Sequence, residues 1–330
     1  MEKKKHLIIY HKEDNDGLFS AAILYDYITD VLNIENNQIE LYSATYNDMN
    51  ELDLNNLVKI AEHISILDLS FNDPKKMKSL FKMMGSKLTW IDHHKPAIME
   101  SVAHKYDDIV GVRDPNHSTI LLTYKYLYDE FGTEYQFYPE IYKVLSAWDS
   151  WSWEACGYDF ERIKNINTGV TISYQLDFFS ILELVKMIKN DIWRDRYERD
   201  WLIQMDNKGQ EYNSIKEYEN RILIQNYGDW NWVIDFPKHF NNRSACAIFI
   251  QGPTNSQIFK SIKDHVDNGI VFKRMPNGDW NISLYNTKDD PHFHCGKYLK
   301  EKYGGGGHEG AGGCTVSESK FMKLLKSKML

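Results

Sequence analysis

The chain has 330 residues, enough for two domains, with the 42% hydrophobic and 26% charged residues of an ordinary globular protein. Its net charge of −8 and pI near 5.9 argue against a protein that holds long nucleic acid through the phosphates, because such proteins carry a basic surface. The four cysteines lack CxxC spacing, which argues against a structural zinc site. Four cysteines in 330 residues do not make a disulfide scaffold, so we expect a reduced, cytoplasmic protein. No apolar run is long enough for a signal-peptide core or a membrane span, so no membrane partner is expected.

The first half of the chain alternates short apolar runs with amphipathic stretches. The apolar runs predict strands at 6–10, 38–44, 63–70 and 87–94. Helical spacing and a helix-opening Asp-Pro pair predict helices at 17–32, 73–84, 118–131 and 139–148. Strands that alternate with helices are typical of βαβ units, so the predicted fold class is α/β, with a parallel sheet flanked by helices.

The second half has a different pattern. Residues 180–215 are helical and charged and predict connecting helices rather than a loose linker. Short β-like runs follow at 221–225, 231–236, 245–250, 269–274 and 280–285. We therefore predict an N-terminal domain over 1–180, connecting helices over 181–219 and a smaller mixed α/β domain over 220–330.

Acids and histidines collect where the predicted strands of the first domain end. The positions are His11, Asp14 and Asp16 beside Gly17, then Asp68, then Asp92 with His93 and His94, and then Asp149 among Trp148, Trp151 and Trp153. In an open α/β sheet the ligand crevice lies beyond the carboxyl ends of the strands, so these clusters can converge there. Taken singly, each has an ordinary alternative, such as a helix cap or a solvated strand end.

Several carboxylates in one crevice would repel each other, and divalent cations would relieve that repulsion. Imidazole combined with carboxylate and without thiolate suits Mn²⁺. Two such ions a few ångströms apart are suited to in-line displacement at phosphorus. The predicted ligands are His11, Asp14, Asp16, Asp68, His93 and Asp149.

A glycine-rich stretch, KYGGGGHEGAGG at 302–313, lies near the C-terminus. Glycines let backbone N–H groups approach an anion closely, and His308 adds a donor. A flexible linker is the alternative interpretation. The stretch lacks the GxxxxGK[ST] pattern of a nucleotide-binding P-loop.

The order HxxDxDG, isolated Asp, DHH, isolated Asp and GGGGH resembles the DHH phosphoesterase superfamily with its DHH-associated C-terminal domain, over nearly the whole chain. The resemblance implies one Mn²⁺ held by His11, Asp14 and Asp68. It implies a second held by Asp16, Asp68, His93 and Asp149. His94 would contact the scissile phosphate and Asp92 would orient its neighbours. In a cleft between the domains, a substrate phosphate would be held by His308 and the amides of Gly305, Gly306 and Gly307.

One strand departs from the family pattern. Many relatives have arginine in an SLRS strand before the glycine run, whereas this chain has SLYN with Tyr285 at that place. The change removes a two-pronged phosphate donor. Relatives with SLYS resemble short-RNA nucleases. Arg243 is a candidate substitute donor, and a surface ion pair is the alternative.

The sequence therefore predicts a cytoplasmic, Mn²⁺-dependent phosphodiesterase of the nanoRNase-like branch, with Mg²⁺ or Co²⁺ as substitute ions. It would hydrolyse short oligonucleotides or linear dinucleotides, but not long nucleic acid, to 5′-mononucleotides. The alternatives are a 3′,5′-bisphosphate nucleotide phosphatase, a cyclic-dinucleotide phosphodiesterase and a non-catalytic nucleotide-binding protein. The base and sugar preference, the direction of cleavage and the biological pathway stay open. Both a monomer and a homodimer are compatible with the sequence.

Overall fold

The structure is a computed structural model that describes residues 4–130, 138–152, 157–234, 243–251, 256–288 and 290–330. Trp153, Cys156 and the ends of two predicted elements (131 and 235–236) lie outside these ranges. The chain forms two compact units, Met1–Tyr212 and Asn213–Leu330. The domain boundaries that the sequence suggests stay predictions.

The first unit is built on a four-stranded parallel sheet, which confirms the predicted fold class. Its strands are β1 (Lys4–His11), β2 (Ile39–Ala44), β3 (Ala61–Leu67) and β4 (Leu88–Ile91), in the order β2-β1-β3-β4. Every pairing in the sheet is parallel. Single bridges from Thr89 to Val110 and from Asp92 to Arg113 continue the sheet beyond β4.

Helices cover both faces of this sheet, because successive side chains of a strand point to opposite sides. Ile8 and Tyr10 of β1 join one hydrophobic core, and Leu7 and Ile9 join the other. The helices are α1 (Asn15–Asp30), α2 (Tyr46–Glu51), α3 (Leu54–Ile60), α4 (Pro74–Met84), α5 (Lys95–His104), α6 (Thr119–Glu130), α7 (Glu140–Asp149), α8 (Phe160–Tyr174), α9 (Phe178–Ile188), α10 (Asp191–Arg196) and α11 (Glu198–Tyr227).

Helix α4 shows how local sequence sets these elements. The side chain of Asp73 caps the helix by accepting a hydrogen bond from the Lys75 amide, and Pro74 occupies the first turn. Proline is tolerated there because its missing N–H would have no partner within the helix. One apolar stripe, which includes Met77 and Leu80, is buried against the core. The sequence predicts both ends of this helix.

The second unit contains a six-stranded mixed sheet and two further helices. The strands are β5 (Asp229–Ile234), β6 (Arg243–Phe249), β7 (Asn268–Arg274), β8 (Trp280–Asn286), β9 (Gly306–Gly307) and β10 (Ala311–Val316), in the order β5-β6-β7-β8-β10-β9. The helices are α12 (Cys295–Tyr303) and α13 (Glu318–Ser327). Among the described strands, β6 and β7 alone pair in parallel, so the sheet is mixed, and its helices give the unit the predicted α/β character.

The strand predicted at 221–225 is wrong, because these residues continue helix α11. Ile224 is fully buried against β6, whereas Ile222 is 38% exposed. A short apolar run does not distinguish a buried strand from one face of a helix. Across the described ranges, no helix has the length and apolar character needed to cross a membrane.

Candidate metal centre and active site

The acids and histidines of the first unit lie beyond the carboxyl ends of three neighbouring strands. β1 ends at His11, β3 is followed by Asp68, and β4 is followed by Asp92, His93 and His94. Asp149 is the last residue of helix α7. The structure therefore brings together the six predicted ligands, which make up two groups of three potential metal ligands.

The first group contains His11, Asp14 and Asp68. Asp14 Oδ2 lies 2.8 Å from His11 Nδ1, and Asp68 Oδ2 lies 3.5 Å from the same nitrogen. The other oxygen of Asp14 caps helix α1 by accepting from the Gly17 amide at 3.0 Å. The capping interpretation of Asp14 and the ligand interpretation are thus compatible, since one carboxylate has two oxygens.

Gly17 allows the tight turn that carries this group. A Cβ at this position would lie 2.2 Å from the carbonyl oxygen of His11, which is closer than any real contact. A side chain there would push the start of α1 away from the end of β1. The predicted need for a glycine follows from this close approach.

The second group contains Asp16, His93 and Asp149. His93 Nε2 lies 2.9 Å from Asp149 Oδ2 and 3.8 Å from Asp16 Oδ2. Asp149 Oδ2 is buried, yet no described residue gives it a hydrogen bond of acceptable geometry. A buried carboxylate oxygen without a donor is unfavourable unless it binds a cation. The donor set and this oxygen therefore fit a divalent ion.

Asp68 connects the two groups. Its side chain is only 2% exposed, and Oδ1 lies 3.5 Å from His93 Nε2 while Oδ2 faces His11. The same Oδ1 lies 3.7 Å from His94 Nδ1, and Asp68, His93 and His94 make up the third group of potential ligands. The backbone of Asp68 is left-handed, with φ of +57°, a conformation that aspartate and asparagine adopt more readily than most residues.

The start of helix α6 supports both buried acids. The backbone amides of Thr119 and Ile120 each donate to one oxygen of Asp16 at 2.8 Å. The Thr119 hydroxyl donates to Asp68 Oδ1 at 2.9 Å. Helix N-termini favour anions, so α6 fixes the orientation of these carboxylates. Sequence reasoning missed these contacts, although the Ser-Thr pair at 118–119 is a typical helix start.

The charges within the cluster shift its titration. Burial disfavours protonated His11 and His93, but the nearby carboxylates outweigh it and raise the pKa of each to about 10. Burial raises the pKa of Asp68 to about 6, and burial with the charges of Asp149 and Asp68 raises the pKa of Asp16. Crowded acids that retain protons in this way are suited to exchanging those protons for cations.

Asp92 holds His94 in a defined orientation. The fully buried Asp92 accepts from His94 Nδ1 at 2.7 Å and from its amide at 3.0 Å, through the same oxygen. Burial opposes protonation of His94, but Asp92 outweighs it and raises the pKa of the imidazole. Nε2 is thereby left for another partner. Tyr46, which sequence reasoning missed, places its ring 5.8 Å from those of His94 and His11.

Trp148 and Trp151, the predicted neighbours of Asp149, lie on either side of Phe160. Their rings are stacked on that of Phe160, with centroids 5.9 Å and 6.4 Å away. Trp151 is 69% exposed. The side chain of Asp149 is 25% exposed, so its carboxylate is intermediate between the buried and exposed alternatives considered from the sequence.

In the second unit the glycine-rich stretch forms ordered structure rather than a flexible linker. Helix α12 ends at Gly304, and the strands β9 and β10 flank the turn that carries His308. His308 is exposed, and its Nδ1 accepts from the Gly310 amide at 3.2 Å, which leaves Nε2–H as a donor. The Gly305 amide already donates to the Leu299 carbonyl at 3.2 Å. Phosphate binding by His308, Gly306 and Gly307 stays a prediction.

Arg243 makes an ion pair, which is the alternative interpretation stated for it above. Its guanidinium binds Asp290, donates to Asn268 at 2.7 Å, and lies over the ring of Phe293. These contacts hold it within the second unit, and its role toward a substrate is untested. Tyr285 packs with its ring 5.9 Å from that of Phe259.

The carboxylates and imidazoles at the carboxyl edge of the parallel sheet form a candidate site for divalent cations. Residues 5–147 match the family described as the DHH family, N-terminal domain. The matched range contains the parallel sheet of the first unit and the predicted ligands His11, Asp14, Asp16, Asp68 and His93, so the N-terminal part of the chain is similar to this family. No curated protein sequence is significantly similar to the chain.

Solved structures with similar folds come from several bacteria. The pGpG-specific phosphodiesterase PggH from Vibrio cholerae is 15% identical with a TM-score of 0.50, and the match covers 98% of this chain and 97% of that one. An exopolyphosphatase-related protein from Bacteroides fragilis is 16% identical with a TM-score of 0.48, over 99% and 91% of the two chains. The similarity to PggH shows a shared fold.

Proposed function

We propose that the chain is a Mn²⁺-dependent phosphodiesterase that hydrolyses linear dinucleotides or other short oligonucleotides to 5′-mononucleotides by a two-metal mechanism. The observation that carries the proposal is the pair of ligand groups, with Asp68 of the first group 3.5 Å from His93 of the second. His11 and Asp14 lie on one side of this carboxylate, and His93 with Asp16 and Asp149 lies on the other.

The donor atoms support Mn²⁺ as the ion. Both groups combine imidazole nitrogen with carboxylate oxygen, which is a ligand set that suits Mn²⁺. It differs from the thiolate-rich sites typical of structural zinc and from the all-oxygen sites of Ca²⁺. His11, Asp14 and Asp68 would hold one ion, and Asp16, Asp68, His93 and Asp149 would hold the other. Divalent cations bound there would supply Lewis-acid catalysis of displacement at phosphorus.

The protein's own groups beside the cluster have the properties that phosphate binding requires. His94 is anchored through Nδ1 by Asp92, and the raised pKa of its imidazole favours a protonated ring whose Nε2–H donates to a phosphate oxygen. Burial, and then the charge of Asp92, raise the pKa of Tyr46, so that its hydroxyl stays protonated. In the second unit, the Nε2–H of His308 would bind a further substrate phosphate.

Two observations favour a short substrate. The net charge of −8 disfavours non-specific attraction of a long polyanion. The fold is shared with PggH, which is named for its specificity toward the linear dinucleotide pGpG. A linear dinucleotide is therefore the first substrate to test.

The test is a substrate panel with defined metal. Protein stripped with chelator receives Mn²⁺, Mg²⁺, Co²⁺ or no ion, and each sample is incubated with pGpG, pApA, short RNA and DNA, cyclic dinucleotides and a 3′,5′-bisphosphate nucleotide. We expect Mn²⁺ to support the fastest release of 5′-mononucleotides from the linear dinucleotides. Preferred release of inorganic phosphate from the bisphosphate, or preferred cleavage of the cyclic compounds, would replace the proposed substrate class.

A further inference from the structure

A cavity of 270 Å³ opens beside the candidate metal centre within the first unit. Its inner wall contains Tyr46 and His94, and its other walls come from the segment after β3 and from helix α5. His94 Nδ1 lies 3.7 Å from Asp68 Oδ1, whereas the cavity contains none of the six predicted metal ligands. A group attached to a phosphate at His94 can therefore extend into this space.

Aromatic side chains form much of the cavity wall. Phe71 and Tyr106 line it together with Tyr46, and the first two are 4% and 3% exposed. These two rings belong to the hydrophobic core and give the cavity a rigid apolar wall, whereas the partly buried Tyr46 has a ring that a nucleobase can contact. The volume is slightly below the roughly 300–1,000 Å³ of pockets that enclose whole ligands. It is suited to one planar group rather than to an entire dinucleotide.

A single carboxylate gives the cavity a chemical preference. Glu100 is the only acid among the described residues that line it. Its Oε2 lies 3.1 Å from His104 Nε2, and its side chain is 54% exposed, so the carboxylate can accept further hydrogen bonds. Both side chains line the cavity, and the charge of Glu100 adds to burial in raising the pKa of Tyr106.

Among the common bases, guanine matches a carboxylate best. Its N1–H and its N2 amino group are adjacent donors, and both can bind one carboxylate in the two-pronged geometry. Adenine and cytosine place a ring acceptor beside their amino group, and uracil places its single N–H between two carbonyls. A carboxylate repels those acceptors.

We propose that this cavity is a nucleobase subsite that prefers guanine, with the base lying beside Tyr46 against the apolar wall and Glu100 accepting from N1–H and N2–H. This inference rests on the proposed function, because the base reaches the cavity only as part of a nucleotide whose phosphate lies at His94.

Calorimetric titration of the full chain with GMP and AMP in the presence of Mn²⁺ tests the preference without turnover. We expect GMP to bind about tenfold more tightly than AMP, as for other good two-pronged base contacts. Glu100→Gln should reduce the ratio to about twofold or less. Glu183→Gln is the matched control, since Glu183 is also an exposed helical acid and pairs with Lys186 three residues away, but does not line the cavity.

A second variant tests occupancy of the cavity. Ala97→Phe places a ring in the cavity from α5 and should weaken GMP and AMP alike. Equal affinity of the wild type for the two nucleotides, or an unchanged ratio in Glu100→Gln, would overturn the proposal. Hydrolysis of pGpG is measured separately. Guanine-selective binding without hydrolysis would refute the phosphodiesterase proposal and support the subsite, whereas hydrolysis without selective binding would do the reverse.

Discussion

The substitution Asp68→Asn tests separately how one charge in the metal centre affects the stability of the fold and how it affects the rate of hydrolysis. Asparagine has the shape of aspartate, tolerates the left-handed backbone at this position, and can still accept the hydroxyl of Thr119. The substitution therefore removes the negative charge and leaves most local contacts unchanged. Asp68 is the residue to change because it belongs to the first ligand group and lies 3.5 Å from His93 of the second.

The expected change in stability follows from the pKa of Asp68. Burial raises this pKa from 3.8 to about 6 in the folded protein. The unfolded carboxyl thus ionises at lower pH than the folded one, so the fold loses stability as pH rises from about 4 to 6. One pKa unit corresponds to about 1.4 kcal/mol, so ionised Asp68 destabilises the metal-free fold by about 3 kcal/mol at pH 8.

Metal-free Asp68→Asn should therefore be more stable than metal-free wild type at pH 8, by up to about 3 kcal/mol in denaturant titrations, and equal to it near pH 4. Added Mn²⁺ should stabilise the wild type more than the variant, because the ion binds only the folded site. The rate of dinucleotide hydrolysis should fall by on the order of a hundredfold or more.

Asp53→Asn is the control, because this acid caps helix α3 and asparagine caps a helix about as well. Its stability and activity should match those of the wild type. Wild-type hydrolysis by Asp68→Asn would refute the shared ligand. A metal-free variant that is less stable than the wild type at pH 8 would refute the electrostatic reasoning.

Three further predictions concern the ion, the second unit and a buried histidine. Chelator should abolish hydrolysis and Mn²⁺ should restore it better than Mg²⁺ or Co²⁺; full activity in chelator would contradict this. His308→Ala should lower kcat/KM about ten- to a hundredfold for a dinucleotide, since a hydrogen bond to a charged group is lost, and less for bis-p-nitrophenyl phosphate; equal losses would contradict a role in holding a second phosphate. Burial and the charge of His63 lower the pKa of His6 from 6.5 to about 3. The stability that depends on a neutral His6 is therefore fully present above pH 6.5 and is lost as pH falls. Between pH 7.5 and 5 the wild type should lose about 2 kcal/mol more than His6→Gln, and parallel pH profiles would argue against the shift.

The sequence predicts the position of the metal centre because one topological rule fixes it. Parallel strands end at the same edge of the sheet, so acids placed just after β1, β3 and β4 meet there whatever the details of packing. The end of α7 obeys no such rule. Asp149 is predicted as a ligand because a carboxylate among tryptophans is costly to bury without a partner, and not from topology.

Other features depend on packing that the sequence does not display. The run at 221–225 has the composition of a strand, but Ile224 alone faces the core, and helix α11 continues through it. The contacts of the Thr119 and Ile120 amides with Asp16 join residues more than a hundred positions apart. Tyr46 has no spacing relation to His94 in the sequence, and only the folded chain brings the two rings together.

Asp68 and Asp92 show why site function depends on surroundings more than on sequence position. Both follow buried strands, and both are almost inaccessible to water. Asp92 meets two N–H donors from His94 and therefore positions that histidine. Asp68 lies between two histidines and near the carboxylates of Asp14 and Asp149, whose charges raise its pKa beyond the effect of burial. An acid that faces donors orients a neighbour, whereas one that faces other acids binds a cation, and only the folded chain determines which it faces.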